Sequence, residues 1–330
     1  MFSFVQHRFY FYAVAFSLFL LSIASPWILD LNQGIDMTGG VQIEYSVSGV
    51  APVSVIDALK NDLIKNAKNT LPLDEQQIIT DTLVYQVSGT DHIVVEAGID
   101  ESLAMISGKV DLARVDAAKA AFSQSLQKQL NTIPSSTIIE TQYRNVGASF
   151  GDYIKRSGYL TMALAILAIS LYIQYAFRGS IAGMASWPFA VVTGVSLAHD
   201  VVIAFGLYVV TSHFFPEFKI DTFFITAMLT VLGYSINDTI VVMDRIRSNL
   251  GHASAKKLAF SSIIDASIWD TMRRSLFVSS TVMIVLIALF IWGPESLRGF
   301  VLALIYGTIV GTYSSVCVAS PLLVDLTGKK

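Results

Sequence analysis

Two carboxylates stand where an apolar helix would ordinarily carry none. Asp238 follows Asn237 about four turns into the run 220–243, and Asp200 follows His199 in the middle of the run 188–210. A charged side chain at the centre of a membrane span costs on the order of 2.5–3.5 kcal/mol even on the lenient insertion scale, and such groups usually face a bundle interior or a water-filled path. Two arginines, Arg273 and Arg274, open a further run at 275–292. An aspartate that gains and loses an arginine partner alternates between binding and releasing an ion. One charge crossing the membrane potential carries about 2.3 kcal/mol per 100 mV, enough to bias a conformational equilibrium. These residue types therefore fit an ion relay. Asp238 or Asp200 would be its carrier, and Arg273 or Arg274 the switching partner. Asn237 would bond the carboxylate or orient a water, and His199 would be a further member. The plainer readings are that the arginines snorkel to the headgroups, that His199 is no more than the partner of Asp200, and that the carboxylates only hold helices together.

The elements that must position these groups follow from composition. Of 330 residues, 53% are apolar and only 14% charged, with a mean hydropathy of +0.59. Soluble domains carry about 25% charge, so this is the composition of a membrane protein. A net charge of −3 does not point to a nucleic-acid partner, and the single cysteine, Cys317, excludes an internal disulfide. The run 9–29 is long enough to span about 30 Å of hydrocarbon and longer than the roughly 7–15-residue core of a cleaved signal.

Residues 30–156 form a separate polar domain, with ten Lys/Arg against sixteen Asp/Glu. Alternating apolar residues predict strands over 41–47, 78–87, 92–97 and 137–146, the second and third joined across Ser88–Asp91. Helical spacing predicts helices over 52–69, opened by Pro52, and over 101–131 with a possible break at Ser107-Gly108. The order β-α-β-β-α-β predicts a ferredoxin-like α+β domain. It holds no metal-ligand spacing and no Ser/His/Asp set, and its one histidine, His92, reads as structural. A chemical enzyme is not expected.

Five more spans follow, at about 157–177, 188–210, 220–243, 275–292 and 300–324, with an interfacial link at 178–187 and a loop at about 244–274. Six spans put both termini on one side. That side collects Arg8, Arg178, Arg245, Arg247, Lys256, Lys257, Arg273, Arg274, Lys329 and Lys330, against Lys219 and Arg298 in the opposing short loops. The positive-inside rule makes the termini cytoplasmic and 30–156 extracytoplasmic. Lys155 and Arg156 count against this only mildly, since long translocated domains largely ignore the rule. The predicted organisation is therefore 1–29 as N-terminus and first helix, 30–156 as the outer domain and 157–330 as helices two to six. Gly307 and Gly311 make a GxxxG in the last span, which allows close helix packing.

Four stretches in this order resemble the SecF family of bacterial protein export, within the RND superfamily. They are Gly34–Gly40 (GIDMTGG, like GxDFxGG), AHDV at 198–201, GYSINDTIVVMDRIRSN at 233–249, and the final block 291–323, which contains GTYSS. In the first, Gly34, Asp36, Gly39 and Gly40 carry the match. The chain departs from the family pattern in IWDTMRRS at 268–275, where Trp269 replaces an Asn, and at Ala148, which replaces a Pro. The resemblance implies a six-helix half-transporter paired with SecD. It also implies association with the SecYEG channel, with YajC and YidC as further candidate partners, a lipid bilayer around the helices, and unfolded preproteins as the substrate that the proton-motive force helps to draw out on the far side. It assigns the fourth-helix Asp to Asp238 and the fifth-helix Arg to Arg274, with H⁺ or Na⁺ as the coupling ion and no cofactor. Two other readings fit the residues less fully: half of an RND-type small-molecule or lipid exporter, and a passive scaffold of the export channel.

Overall fold

The computed structural model describes residues 2–87, 90–106, 109–178, 185–215, 217–252 and 258–327. The sequence expectations on Ser107-Gly108, Lys256, Lys257, Lys329 and Lys330, and on parts of the 88–91 turn and the 178–187 link, lie outside those residues. The chain separates into two compact units. The polar unit comprises Gln33–Ser157 with Ile220–Thr222, and the helical unit comprises the rest.

In the polar unit four strands, β1 (Gly40–Ser48), β2 (Ile79–Gln86), β3 (His92–Ile99) and β4 (Thr137–Val146), form one antiparallel sheet in the order β2-β3-β1-β4. Helix α2 follows β1 and α3 (Leu112–Leu130) precedes β4, so the expected ferredoxin-like order is found. (Helix α1, Arg8–Ile28, belongs to the other unit.) The alternation in β1 explains the packing. Val41, Ile43, Tyr45 and Val47 are buried against Val55 and Leu59 of α2 and Phe122, Leu126 and Leu130 of α3. Helix α2 covers 52–69, its middle turn Leu59–Leu63 widened to a π turn.

Helix α3 is shorter than the predicted 101–131. It starts only where a capping carboxylate is available: Asp111 accepts the Arg114 amide at 3.3 Å. Ahead of it, a 3₁₀ turn at Glu101–Ala104 leads into a small hairpin pairing Met105 with Val110. His92 takes the structural role expected of it, its Nδ1 2.6 Å from Glu44 on the neighbouring strand.

The Gly34–Gly40 motif ties together the two chain segments of this unit. The Gly34 amide donates to Ile220 O at 2.9 Å. Asp36 takes a hydrogen bond from Thr222 at 3.0 Å on one oxygen and faces Arg144 at 3.5 Å on the other. The chain then turns through Gly39 (φ 79°) and Gly40 (φ 151°), backbone angles that side chains with a Cβ rarely adopt. A Cβ on Gly40 would also lie 2.4 Å from Ala97 O across the ladder.

The helical unit carries six helices long and apolar enough to cross a membrane: α1, α4 (Ala148–Ala176), α5 (Trp187–Phe214), α6 (Thr222–Gly251), α7 (Phe260–Trp292) and α8 (Arg298–Thr327). The most buried are α5 and α8, each with 61% of its apolar window inside the protein, against 6% for α4 and 17% for α1 and α7. The bundle is therefore centred on α5 and α8. Two sequence expectations change. Residues 244–274 are not a loop, because α6 continues to Gly251 and α7 begins at Phe260. Consequently Arg273 and Arg274 sit inside α7 and do not open it. The cause is packing: Ile246, Leu250, Ile263, Ile264 and Ile268 recur at helical spacing and are buried together.

Two outcomes are expected. Gly40→Ala lowers the thermal unfolding midpoint of the detergent-solubilised protein, through backbone strain of about 1–3 kcal/mol plus the clash with Ala97. Gly233→Ala, with nothing within 4 Å of its added Cβ, leaves that midpoint unchanged or higher. The Tyr85 phenol, pushed up to about 12 chiefly by burial, donates to Glu96 at 2.7 Å. A folded value above the unfolded one of roughly 10 means this contribution is complete below about pH 10 and is lost as pH rises towards 12. Burial raises other tyrosines too, Tyr45 and Tyr143 among them, so a tyrosinate absorbance titration should show a late-ionising group, and Tyr85→Phe should remove one residue's share of it near pH 12.

Candidate functional site

The intramembrane polar groups fall into two clusters. The first is built on Asp200 of α5, which is fully buried. Ser235 of α6 donates to its Oδ2, and Ser314 of α8 donates to the same oxygen at 2.8 Å. His199 Nδ1 lies 2.9 Å from Oδ1, and its Nε2 faces the Tyr313 hydroxyl at 3.2 Å. This fixes one consistent arrangement for a neutral ring: Nδ1–H donates to the carboxylate and Nε2 accepts from Tyr313. Phe19 of α1 stacks over the imidazole. Both carboxylate oxygens are thus engaged, and three helices meet at one side chain.

The small residues make that meeting possible. A Cβ on Gly307 would lie 2.0 Å from Val231, and one on Gly311 would lie 2.9 Å from Ser235. The GxxxG therefore sets α8 against α6 at a distance only glycine allows, as its spacing implied. Just past Ser314 the helix widens into a π turn at Ser315–Ala319, and Ser320 Oγ closes on the Ser315 carbonyl at 2.7 Å.

The second cluster is built on Asp238 of α6, which is 3% exposed. Its protein contacts come from α7. Ser279 Oγ lies 3.5 Å from Oδ2, while Ser275 Oγ is buried near enough to the same carboxylate to act on it but closes no hydrogen bond of normal geometry. Arg274, one residue before Ser275, is close enough for its charge to act on Asp238. Ser279 also receives the Tyr234 hydroxyl at 2.8 Å and meets Thr312 of α8 at 2.8 Å. Ser279 and Thr312 line a cavity of about 610 Å³ between α7 and α8, together with Tyr313 and Cys317.

The structure therefore brings Asp238 and Arg274 into one neighbourhood, and His199 with Asp200 into another. No hydrogen bond joins the two carboxylates among the described residues. Asn237 is exposed and turned away from the Asp238 carboxylate, as neighbours on a helix are, so it does not bond that group. Sequence reasoning missed the hydroxyls Ser235, Ser275, Ser279 and Thr312. Their signal was available, since Ser275 and Ser279 stand four residues apart on one helical face.

Trp269 turns out to serve another part of the unit. Its indole donates to Phe2 O at 2.9 Å and its ring packs on Phe4, while Val5 N–H donates to Asp265. It anchors the N-terminal segment to the start of α7. Arg245 bonds Asp270 at 2.7 Å, and Arg247 lies over Phe177.

Six apolar helices around buried carboxylates, with a small antiparallel α+β unit, define a multi-pass helical membrane protein of transport type. The description "Protein export membrane protein SecD/SecF, C-terminal" matches residues 124–329. The protein translocase subunit SecF of Rhodothermus marinus is 32% identical over 329 residues, covering 99% of this chain and 94% of that protein. Its counterpart from Desulfurispirillum indicum is 35% identical over 95% of this chain and 88% of its own. The crystal structure of SecDF, a translocon-associated membrane protein from Thermus thermophilus, superposes with a TM-score of 0.70 at 25% identity. All of this chain matches 39% of that longer one. The chain belongs to the SecD/SecF family, on its SecF branch.

Because Asp200 accepts from Ser235, while Ser314 can fall back on the Gly311 carbonyl at 3.2 Å, Asp200→Leu should cost roughly 1–3 kcal/mol, chiefly for the Ser235 donor left unpaired. Asp200→Asn should cost less. Thermal unfolding of the two variants in the same detergent makes the comparison.

Proposed function

We propose that this chain is the SecF half of a two-part export complex that uses an ion gradient to help draw preproteins across the membrane after the SecYEG channel has engaged them. Asp238 carries the reading. It is buried in an apolar helix, within the field of Arg274, yet its hydroxyl shell is open: Ser279 stands at a long 3.5 Å and Ser275 closes no bond of normal geometry. Asp200, by contrast, is saturated. An ion site has to release what it binds, and an incompletely bonded carboxylate beside a cavity suits that cycle better than a saturated one. Asp238 is the carrier, H⁺ or Na⁺ its ion, and Arg274 the charge that competes for it. Asp200 and His199 hold the helices in register around it.

SecD is the partner, since the solved relative carries a SecDF pairing in one chain and this chain matches 39% of it. The SecYEG channel and unfolded preproteins complete the set, with YajC and YidC as further contacts. Both termini face the cytoplasm, because Arg8, Arg178, Arg245 and Arg247 share one end of the bundle, and the polar unit faces outward. Its Ile220–Thr222 segment, tied to Asp36, continues directly into the helix that carries Asp238. A change at Asp238 thereby has a covalent route to the outer unit.

Asp238→Asn should abolish the gain in export that a membrane potential confers on a slow preprotein in reconstituted vesicles, while SecD still co-purifies. Normal potential-dependent export by that variant would overturn the proposal. Imposed pH and sodium gradients, applied separately, identify the ion.

A further inference from the structure

The hydroxyl chain beside Asp238 contains a proton count that its distances resolve. A serine or threonine hydroxyl has one hydrogen to give and two lone pairs to offer. Thr312 spends its hydrogen on Thr308 O at 2.7 Å, one turn back along α8. Tyr234 spends its own on Ser279. The 2.8 Å contact between Ser279 and Thr312 must then use the single Ser279 hydrogen, with Thr312 accepting. Nothing is left on Ser279 to donate to Asp238, and the contact to Oδ2 is correspondingly long at 3.5 Å. Ser279 retains one lone pair facing the carboxyl. The chain closes fully when Asp238 carries the proton and donates it to Ser279. When Asp238 is ionised, the Ser279 hydrogen is drawn to it, and the bond from α7 to Thr312 on α8 is lost.

We infer that Ser279 is a positioning residue that passes the charge state of Asp238 to α8 by redirecting one hydroxyl hydrogen between Asp238 and Thr312. This rests on the ion-coupling reading above and says how a change at Asp238 reaches a neighbouring helix. Thr312 never touches Asp238 in this scheme, yet it competes with the carboxylate for the same hydrogen. The groups facing Asp238 are the Ser275 and Ser279 hydroxyls and the Arg274 guanidinium of α7, with the titratable Tyr234 of its own helix acting through Ser279. Replacing Thr312 leaves every one of them in place.

The test is infrared titration of the protonated-carboxyl band that Asp238→Asn deletes, on the full chain with its SecD partner in lipid nanodiscs. Thr312→Val removes the competing acceptor, so the band should vanish at a pH lower by about one unit, a tenfold change in proton affinity. Thr312→Ser, which keeps the hydroxyl, should match the wild type. In a Ser279→Ala background, Thr312→Val should produce no shift, because the residue that relays the competition is gone. A band that titrates normally and does not move in Thr312→Val overturns the relay through Ser279 but leaves the ion-coupling reading standing. The same holds if the shift persists without Ser279. Absence of any titrating Asp238 band overturns both.

Discussion

The helical unit depends on one hydrogen-bonded carboxylate, Asp200. In hydrocarbon no water is available to satisfy a buried polar group, and each unmade bond costs several kcal/mol. Placing Asp200 in α5 therefore obliges its neighbours to supply donors, and Ser235, Ser314 and His199 do so from α6, α8 and α5 itself. The glycines follow from the same demand. Ser235 and Ser314 can reach the same Asp200 oxygen only if α6 and α8 lie close together, and Gly307 and Gly311 remove the side chains that would hold them apart. Asp200 is thus a point where three helices are hydrogen-bonded together.

Asp238 shows what changes when the same residue type is left partly unsatisfied. It sits one turn beyond Ser235 on α6, at similar burial, but its neighbours on α7 stop short of closing on it. Two aspartates in similar apolar surroundings are consequently bonded very differently. One is bonded across three helices. The other has one long contact to Ser279, which is itself hydrogen-bonded to Tyr234 and Thr312.

Much of this protein can be read in the sequence by itself, because the forces behind it are local or nearly so. Hydropathy marked the six spans. Alternation in Val41–Val47 and Thr137–Val146 marked strands, and the element order implied the sheet topology found. Gly34–Gly40, AHDV at 198–201, the run around Asp238 and the block 291–323 were specific enough to indicate the family. Hydropathy reports where lipid ends, however, and not where a helix ends. Helix α6 continues to Gly251 and α7 already begins at Phe260 because Ile246, Leu250, Ile263 and Ile268 pack against one another, which only a tertiary contact can decide. The start of α3 at Asp111 likewise depended on a cap that competes with an upstream hairpin.

The polar chemistry divides along the same line. Residue type and depth nominated Asp200, His199, Asp238 and Arg274, since a buried charge is conspicuous in any apolar run. Which partner each one meets depends on distances between helices that are remote in the chain, and one-dimensional spacing carries no record of those. Only the fold placed Ser235 and Ser314 on Asp200, turned Asn237 away from its neighbour, gave Trp269 to the N-terminal segment, and left Ser279 with one hydrogen for two acceptors.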